Sequence, residues 1–147
     1  MPDKVLFASN SYEWVTPQDF FNKLDEEFHF DLDVAADDNN HKCEHYYTKE
    51  TDGLAHQDEW FGNVWCNPPY GRDVINWVRA CAEYRKGTCV LLIPARTDTR
   101  WFHEYIYKND RVEIRFVRGR LHFNNCDRAP FPSMVAIFRN ERGKGGQ

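Results

Sequence analysis

Apolar and polar positions change their spacing several times along the chain, and each change predicts an element. After Thr16-Pro17-Gln18-Asp19, Phe20, Leu24 and Phe28 recur at helical spacing with Phe21 beside them, predicting a helix to about residue 27. Thr16 suits its N-cap, Pro17 its first position, and Asp19 a first turn that favours negative charge. Over 28–36, Phe28, Phe30, Leu32 and Val34 alternate with His29, Asp31 and Asp33, the period of a strand, which Ala35 and Ala36 close. Residues 37–61 are polar and irregular, with a turn at Asp37-Asp38-Asn39-Asn40, a short strand at Tyr46-Tyr47-Thr48 and a turn at Asp52-Gly53-Leu54. Val64-Trp65-Cys66 favours a buried strand. Val74, Ile75, Val78, Cys81 and Ala82, flanked by Trp77, mark a helical face running to about Lys86, where Gly87 stops it. The apolar run 88–93 reads as a buried parallel strand. A helix over 98–107 follows, then strands at 112–117, at Arg120-Leu121-His122-Phe123 and at 133–139, the last after a rigid Ala129-Pro130-Phe131-Pro132 loop. Strands alternating with helices predict an α/β domain over 13–139, with an arm at 1–12 and a tail without order at 140–147.

Composition changes this picture in few places. The chain has 147 residues, enough for one domain with one real core. It holds no run of eighteen apolar residues, and Met1-Pro2-Asp3-Lys4 does not open a signal peptide, so no membrane partner is expected. Five cysteines without a Cys-x-x-Cys pair suit reduced thiols and a cytoplasmic location. His41-Lys42-Cys43-Glu44-His45 carries metal-ligating types, but no second pair stands at finger spacing, so no metal is expected. The net charge of −4 argues against nucleic-acid binding by the chain as a whole and leaves it to a local patch.

The stretch with most chemistry is Val64-Trp65-Cys66-Asn67-Pro68-Pro69-Tyr70-Gly71. Two consecutive prolines fix φ, offer no N–H and push the preceding residues out of the α region. A strand therefore ends in a rigid elbow carrying an amide at Asn67 and an aromatic ring at Tyr70. Amide and carbonyl oxygens accept the hydrogens of an amine, and the ring stacks on a planar group. The plain alternative is a proline turn whose Asn67 caps and whose Tyr70 packs. Against it stands the position of the elbow, at the carboxyl end of a strand and before a helix, where α/β sheets bind ligands. Cys66 precedes Asn67 in an apolar strand, the wrong place for the reactive thiolate of a cytosine-C5 mechanism.

Asn67-Pro68-Pro69-Tyr70 resembles the catalytic motif of the amino-methyltransferases that use S-adenosylmethionine. Trp14-Val15-Thr16-Pro17, Asp31-Leu32-Asp33-Val34-Ala35-Ala36, Pro94-Ala95-Arg96-Thr97-Asp98-Thr99, Arg118-Gly119-Arg120-Leu121-His122-Phe123 and Ala129-Pro130-Phe131-Pro132-Ser133 occur in that order. Over roughly 10–138 the set resembles the phage-type DNA adenine-N6-methyltransferases (Dam-like). The resemblance implies a Rossmann-like methyltransferase fold, a mixed sheet with helices on both faces, abbreviated in its first half. It implies catalytic Asn67, Pro68, Pro69 and Tyr70, with the Asn67 oxygen and the Pro68 carbonyl accepting from adenine N6 and Tyr70 stacking on a flipped base. It implies S-adenosylmethionine contacts from Thr16, Pro17, Asp33, Ala35 and Asn67. Near the ribose or adenine it implies an acidic residue, for which Asp52 and Asp58 are the candidates. No Gly-x-Gly fingerprint is present, since Ala35 and Ala36 stand there.

Double-stranded DNA is the implied partner, and a phage or prophage protein acting in a bacterial host is the implied source. Arg111, Arg115, Arg118, Arg120 and Arg128, with Phe116, His122 and Phe123 interleaved, suit a nucleic-acid strand; a solvated polar face is the alternative. Arg118, Arg120, His122 and Arg128 are the DNA candidates. Arg96 joins them, facing a phosphate or the cofactor carboxylate, or else simply pairing with Asp98. Little chain remains for a recognition domain, which leaves loops or a second subunit in a homodimer to recognise sequence. An RNA or protein amide as substrate, and a silent binding module, remain the competing readings.

Overall fold

The computed structural model describes residues 14–123 and 128–140. The expected arm at 1–12 and all of the expected tail beyond Asn140 lie outside them. Helix α1 is Gln18–Phe28, and Phe21, Leu24 and Phe28 are its buried stripe. Phe28 therefore belongs to the helix and not to the strand expected from 28. His29 ends α1 in a left-handed turn (φ 52°), its N–H donating to the Asp25 carbonyl. Strand β1 then comprises only Leu32–Asp33, and β2 only His45–Tyr46. The turn at 37–40 forms as expected, with Asp37 Oδ1 accepting the N–H groups of Asn39 and Asn40.

A 3₁₀ stretch, Leu54–Glu59, leads to β3 (Val64–Cys66), and the elbow joins β3 to α2 (Val74–Glu83). Helix α2 stops at Tyr84, before the expected Gly87. A Cβ at Gly87 would lie 2.4 Å from the Gly62 carbonyl oxygen, so Gly87 permits a close approach of two chain segments instead of ending the helix. Strand β4 is Cys89–Pro94, entirely buried. The helix expected over 98–107 shrinks to residues 100–106, and Phe102–Ile106 winds as a π turn closed by Tyr107 N–H on the Phe102 carbonyl. Strands β5 (Val112–Phe116) and β6 (Ser133–Phe138) follow. Residues 120–123 form no strand; they close a loop through Ala129 N–H donating to the Leu121 carbonyl.

The six strands form one mixed sheet ordered β2-β1-β3-β4-β6-β5. Pairs β2–β1, β1–β3 and β3–β4 are parallel, whereas β6 runs antiparallel to both β4 and β5. Apolar side chains cover both faces. On one, α2 packs Val74, Trp77, Val78 and Cys81 over Val64, Cys66, Leu91 and Ile93. On the other, Phe21, Leu24 and Phe28 of α1 meet Trp65, Val90, Leu92 and Ile137. Tyr70 packs against both clusters, beyond the carboxyl end of β3 where the elbow leaves the sheet. Among the described residues no helix is long and apolar enough to cross a membrane.

Candidate active site

The chain runs from β1 outward to β2, then crosses back to β3 on the other side of β1 and onward to β4. The carboxyl ends of β1 and β3 thus flank the point where the connections diverge, the crevice in which open α/β sheets hold ligands. Asp33 ends β1, and Asn67 follows the last residue of β3. A cavity of about 510 Å³ opens there, within the range of small-molecule sites. Thr16, Asp33, Ala35, Asp52, Asn67, Pro69 and Tyr70 all line it. Pro17, Pro68 and Asp58 do not; the Asp58 carbonyl instead takes the Lys86 ammonium. The pattern of the chain did not single out Lys42, Glu50, Arg72, Asp73 or the indole of Trp77, which also form the wall. Trp77 was readable only as a helix flank, yet it is buried and shared between core and cavity.

Asp33 is 3% exposed, and its oxygens accept the backbone N–H groups of Lys42 (2.9 Å) and Ala35 (3.3 Å). Burial outweighs these hydrogen bonds and pushes its carboxyl up to about 6. Lys42 folds over the same side, its ammonium donating to Gln18 Oε1 at 2.9 Å and lying 5.9 Å from the Phe21 ring centre. Burial also draws the Lys42 amine below its usual range. Asp52 adopts a left-handed φ of 59°, which Asp tolerates better than most residues. Its Oδ1 accepts Ala55 N–H and its carbonyl bonds His56 Nδ1, so it opens the 3₁₀ stretch as well as lining the cavity.

The elbow is held by side-chain hydrogen bonds. Thr16 is not the cap of α1: Pro17 holds that position, and no side chain bonds there. Thr16 is 2% exposed, and its Oγ1 accepts from Asn67 Nδ2 at 2.9 Å. The same nitrogen donates to the Trp14 carbonyl at 2.6 Å, so both amide hydrogens of Asn67 are spent on the 14–16 segment. Tyr70 donates its hydroxyl to Asn67 Oδ1 at 2.7 Å, with the Leu92 carbonyl 3.2 Å away as a second acceptor. Burial pushes the Tyr70 phenol well up, so it stays protonated and a donor. The Pro68 carbonyl takes no hydrogen bond from a described residue, and the Pro68 ring is buried.

Of the expected basic cluster, two members serve the fold. Arg111 donates to the carbonyls of Arg139, Ala82 and Tyr84, and Arg115 forms ion pairs with Glu27 and Glu113. Arg118, Arg120, His122 and Arg128 are exposed on the loop between β5 and β6. Its inner residues Phe123 and Phe131 both lie 5.4 Å from Trp14, and Phe131 meets the Tyr70 ring edge-on at 5.5 Å. The basic loop is therefore seated directly on the elbow. Arg96 is exposed after β4 and forms no ion pair with Asp98. Among the described residues no cluster of His, Cys, Asp and Glu is arranged to hold a metal ion.

A crevice at the carboxyl ends of parallel strands, with an asparagine-bearing proline elbow on one wall and a buried carboxylate on the other, is consistent with an α/β protein of the methyltransferase-like class. The family profile described as DNA N-6-adenine-methyltransferase (Dam) matches residues 6–142, and the chain belongs to that family. It is 35% identical over 113 residues to the DNA N-6-adenine-methyltransferase of Escherichia phage T1, covering 74% of this chain and 45% of that protein. It is 28% identical over 136 residues to the DNA N-6-adenine-methyltransferase of Haemophilus phage HP1 (strain HP1c1), covering 85% of this chain and 77% of that one. The chain thus spans less than half the length of the phage T1 relative and about three quarters of the phage HP1 relative.

Proposed function

We propose that the chain transfers the methyl group of S-adenosylmethionine to the exocyclic N6 of adenine in double-stranded DNA, on a Rossmann-like methyltransferase fold. One observation carries this reading: a single cavity is walled both by Asp33, Ala35 and Asp52 and by Asn67, Pro69 and Tyr70. Donor and acceptor can therefore lie side by side without crossing a barrier of protein. The wall also suits a cationic donor. Asp33, Glu50 and Asp52 supply negative charge, and Trp14 and Trp77 supply aromatic surface for a purine. When bound, S-adenosylmethionine supplies a methyl carbon made electrophilic by its sulfonium.

What the chain adds is positioning and electrostatics. N6 of adenine is a weak nucleophile because its lone pair is spread into the ring. Asn67 Oδ1 and the Pro68 carbonyl accept its hydrogens, concentrate charge on the nitrogen and turn the lone pair toward the methyl carbon. Effective molarities for such alignment are worth roughly 7–11 kcal/mol. The nitrogen then loses one proton to solvent, so no strong base is required. Tyr70 offers its ring to the flipped base, and the amine competes with the Tyr70 hydroxyl for Asn67 Oδ1 or uses the second lone pair of that oxygen. Arg118, Arg120, His122 and Arg128, on the loop seated against the elbow, are the phosphate contacts, and Arg96 on the β4 rim is a further one. A homodimer would double this surface, and a cytoplasmic setting in a phage-infected host agrees with the origin of the relatives.

The test is to incubate the protein with unmethylated duplex DNA and isotopically labelled S-adenosylmethionine, then to identify the labelled nucleoside. Label in N6-methyldeoxyadenosine is expected. Cofactor binding without label in DNA would move the substrate to an RNA or protein amide.

A further inference from the structure

Asn67 has one side chain and two possible senses. With Nδ2 outward it would offer hydrogens to the target; with Oδ1 outward it accepts them. Only the second suits an amine. The sense is settled by the 14–16 segment, 51 and 53 residues away in sequence. The Trp14 carbonyl can only accept, so the reversed amide would set two oxygens against each other at a 2.6 Å separation. Thr16 Oγ1 accepts the remaining N–H at 2.9 Å and holds the amide plane from a second direction. Thr16 is 2% exposed, so its hydroxyl is held in place against the half-buried Asn67 amide.

We propose that Thr16 is a positioning residue for the reaction: beside the Trp14 carbonyl, which sets the sense of the amide, the Thr16 hydroxyl accepts the second Asn67 N–H and holds the amide plane so that Oδ1 is presented to an amine. This rests on the reading of Asn67 as the amine acceptor. It adds to the part expected of Thr16, which lines the cavity as a cofactor contact would and whose hydroxyl also accepts from the Asn67 amide. The cavity wall and the catalytic amide are thereby tied through one short segment, because Trp14, Val15 and Thr16 also line the cavity.

The experiment compares Thr16→Val, which keeps the shape and removes the acceptor, with Thr16→Ser, which keeps the acceptor. With cofactor and unmethylated DNA saturating, Thr16→Val should lower kcat by about tenfold, the upper range of one hydrogen bond's net contribution. The dissociation constant for S-adenosylmethionine, read by tryptophan fluorescence, should stay at the wild-type value, and Thr16→Ser should restore kcat. An unchanged kcat in Thr16→Val, a loss found wholly in cofactor affinity, or failure of Thr16→Ser to rescue would each overturn the proposal. A second readout needs no DNA. The Asn67 side-chain amide hydrogens, followed by ¹⁵N NMR, should exchange slowly in wild type and in Thr16→Ser and faster in Thr16→Val. Equal exchange in all three refutes the clamp. Slow exchange in a wild-type protein that leaves adenine unmethylated would instead refute the substrate reading alone.

Discussion

Replacing Asn67 by alanine removes three hydrogen bonds at once: two from Nδ2, to Trp14 and Thr16, and one received by Oδ1 from Tyr70. The Tyr70 hydroxyl keeps an acceptor in the Leu92 carbonyl at 3.2 Å, so it is not orphaned. Thr16 Oγ1 and the Trp14 carbonyl lose their donor in a buried place, which costs about 1–3 kcal/mol. For a chain of this length that lowers Tm by roughly 2–4 °C per kcal/mol. The catalytic loss should be far larger. Removing one preorganised group that contacts developing charge typically costs about 10²- to 10³-fold in kcat. Asp33, Ala35 and Asp52 are untouched, so cofactor binding should persist. The assay is methyl transfer to duplex DNA at saturating S-adenosylmethionine, beside a thermal melt and cofactor titration of the same preparation. Wild-type turnover in Asn67→Ala would refute the acceptor role, and loss of cofactor binding in parallel would show that Asn67 holds the cofactor instead of the amine.

Three further outcomes are expected. Tyr70→Phe keeps the ring and frees Asn67 Oδ1, so turnover should stay close to wild type. Tyr70→Ala should weaken DNA binding by the roughly 1–3 kcal/mol of a stacked base; equal losses in both would mean that the phenol matters more than the ring. Asp33, raised to about 6 in the fold from an ordinary 3.8, stays protonated while its unfolded counterpart ionises. Its contribution therefore makes the ligand-free protein less stable as pH rises from about 4 to 6, and level beyond that. A cationic ligand beside Asp33 favours the carboxylate, so S-adenosylmethionine affinity should climb over the same window with proton release. Calorimetry in two buffers of different ionisation enthalpy reads this, and flat affinity would remove Asp33 from the cofactor site. Finally, Arg118→Ala with Arg128→Ala should weaken DNA binding without changing cofactor affinity. The slope of log K against log salt should flatten by about 0.9 for each phosphate left without its guanidinium. An unchanged slope would return that loop to being a solvated surface.

The parts of the fold legible from the chain are those set by neighbours in sequence. Val64-Trp65-Cys66 before two prolines announces a strand and its abrupt end, and Phe21, Leu24 and Phe28 announce α1. What the local pattern concealed depends on distant partners. Phe28 and Phe30 alternate like strand residues, but Phe28 completes a helical stripe, and only Leu32 and Asp33 find neighbouring strands to pair with. Thr16 carries every mark of a cap, yet its hydroxyl is claimed by a residue far along the chain. Arg111 and Arg115 look like partners of Arg118, but three carbonyls and two glutamates claim them once β5 is in place. Charge in sequence does not say whether a guanidinium faces solvent or its own fold. The candidate site was legible at Asn67, Tyr70 and Asp33 because an elbow and a strand end are local events. The wall formed by Lys42, Glu50 and Trp77 arises only when separate segments meet at the crevice.

The sheet also has a strong side and a weak one. Strands β4 and β6 pair along the whole of Cys89 to Pro94, sealed on both faces, whereas β1 and β2 pair only at Leu32–His45 and Asp33–Tyr46, extended by the bonds of Tyr47 to Asp33 and Ala36. Opening of the native state should therefore begin at the β1–β2 edge, with amide hydrogens at 32–47 exchanging long before those of β4 and β6. That edge carries the Asp33 wall of the cavity. A ligand held there would add its binding energy to the weakest part of the molecule, so the methyl donor would act as a structural keystone as well as a reactant.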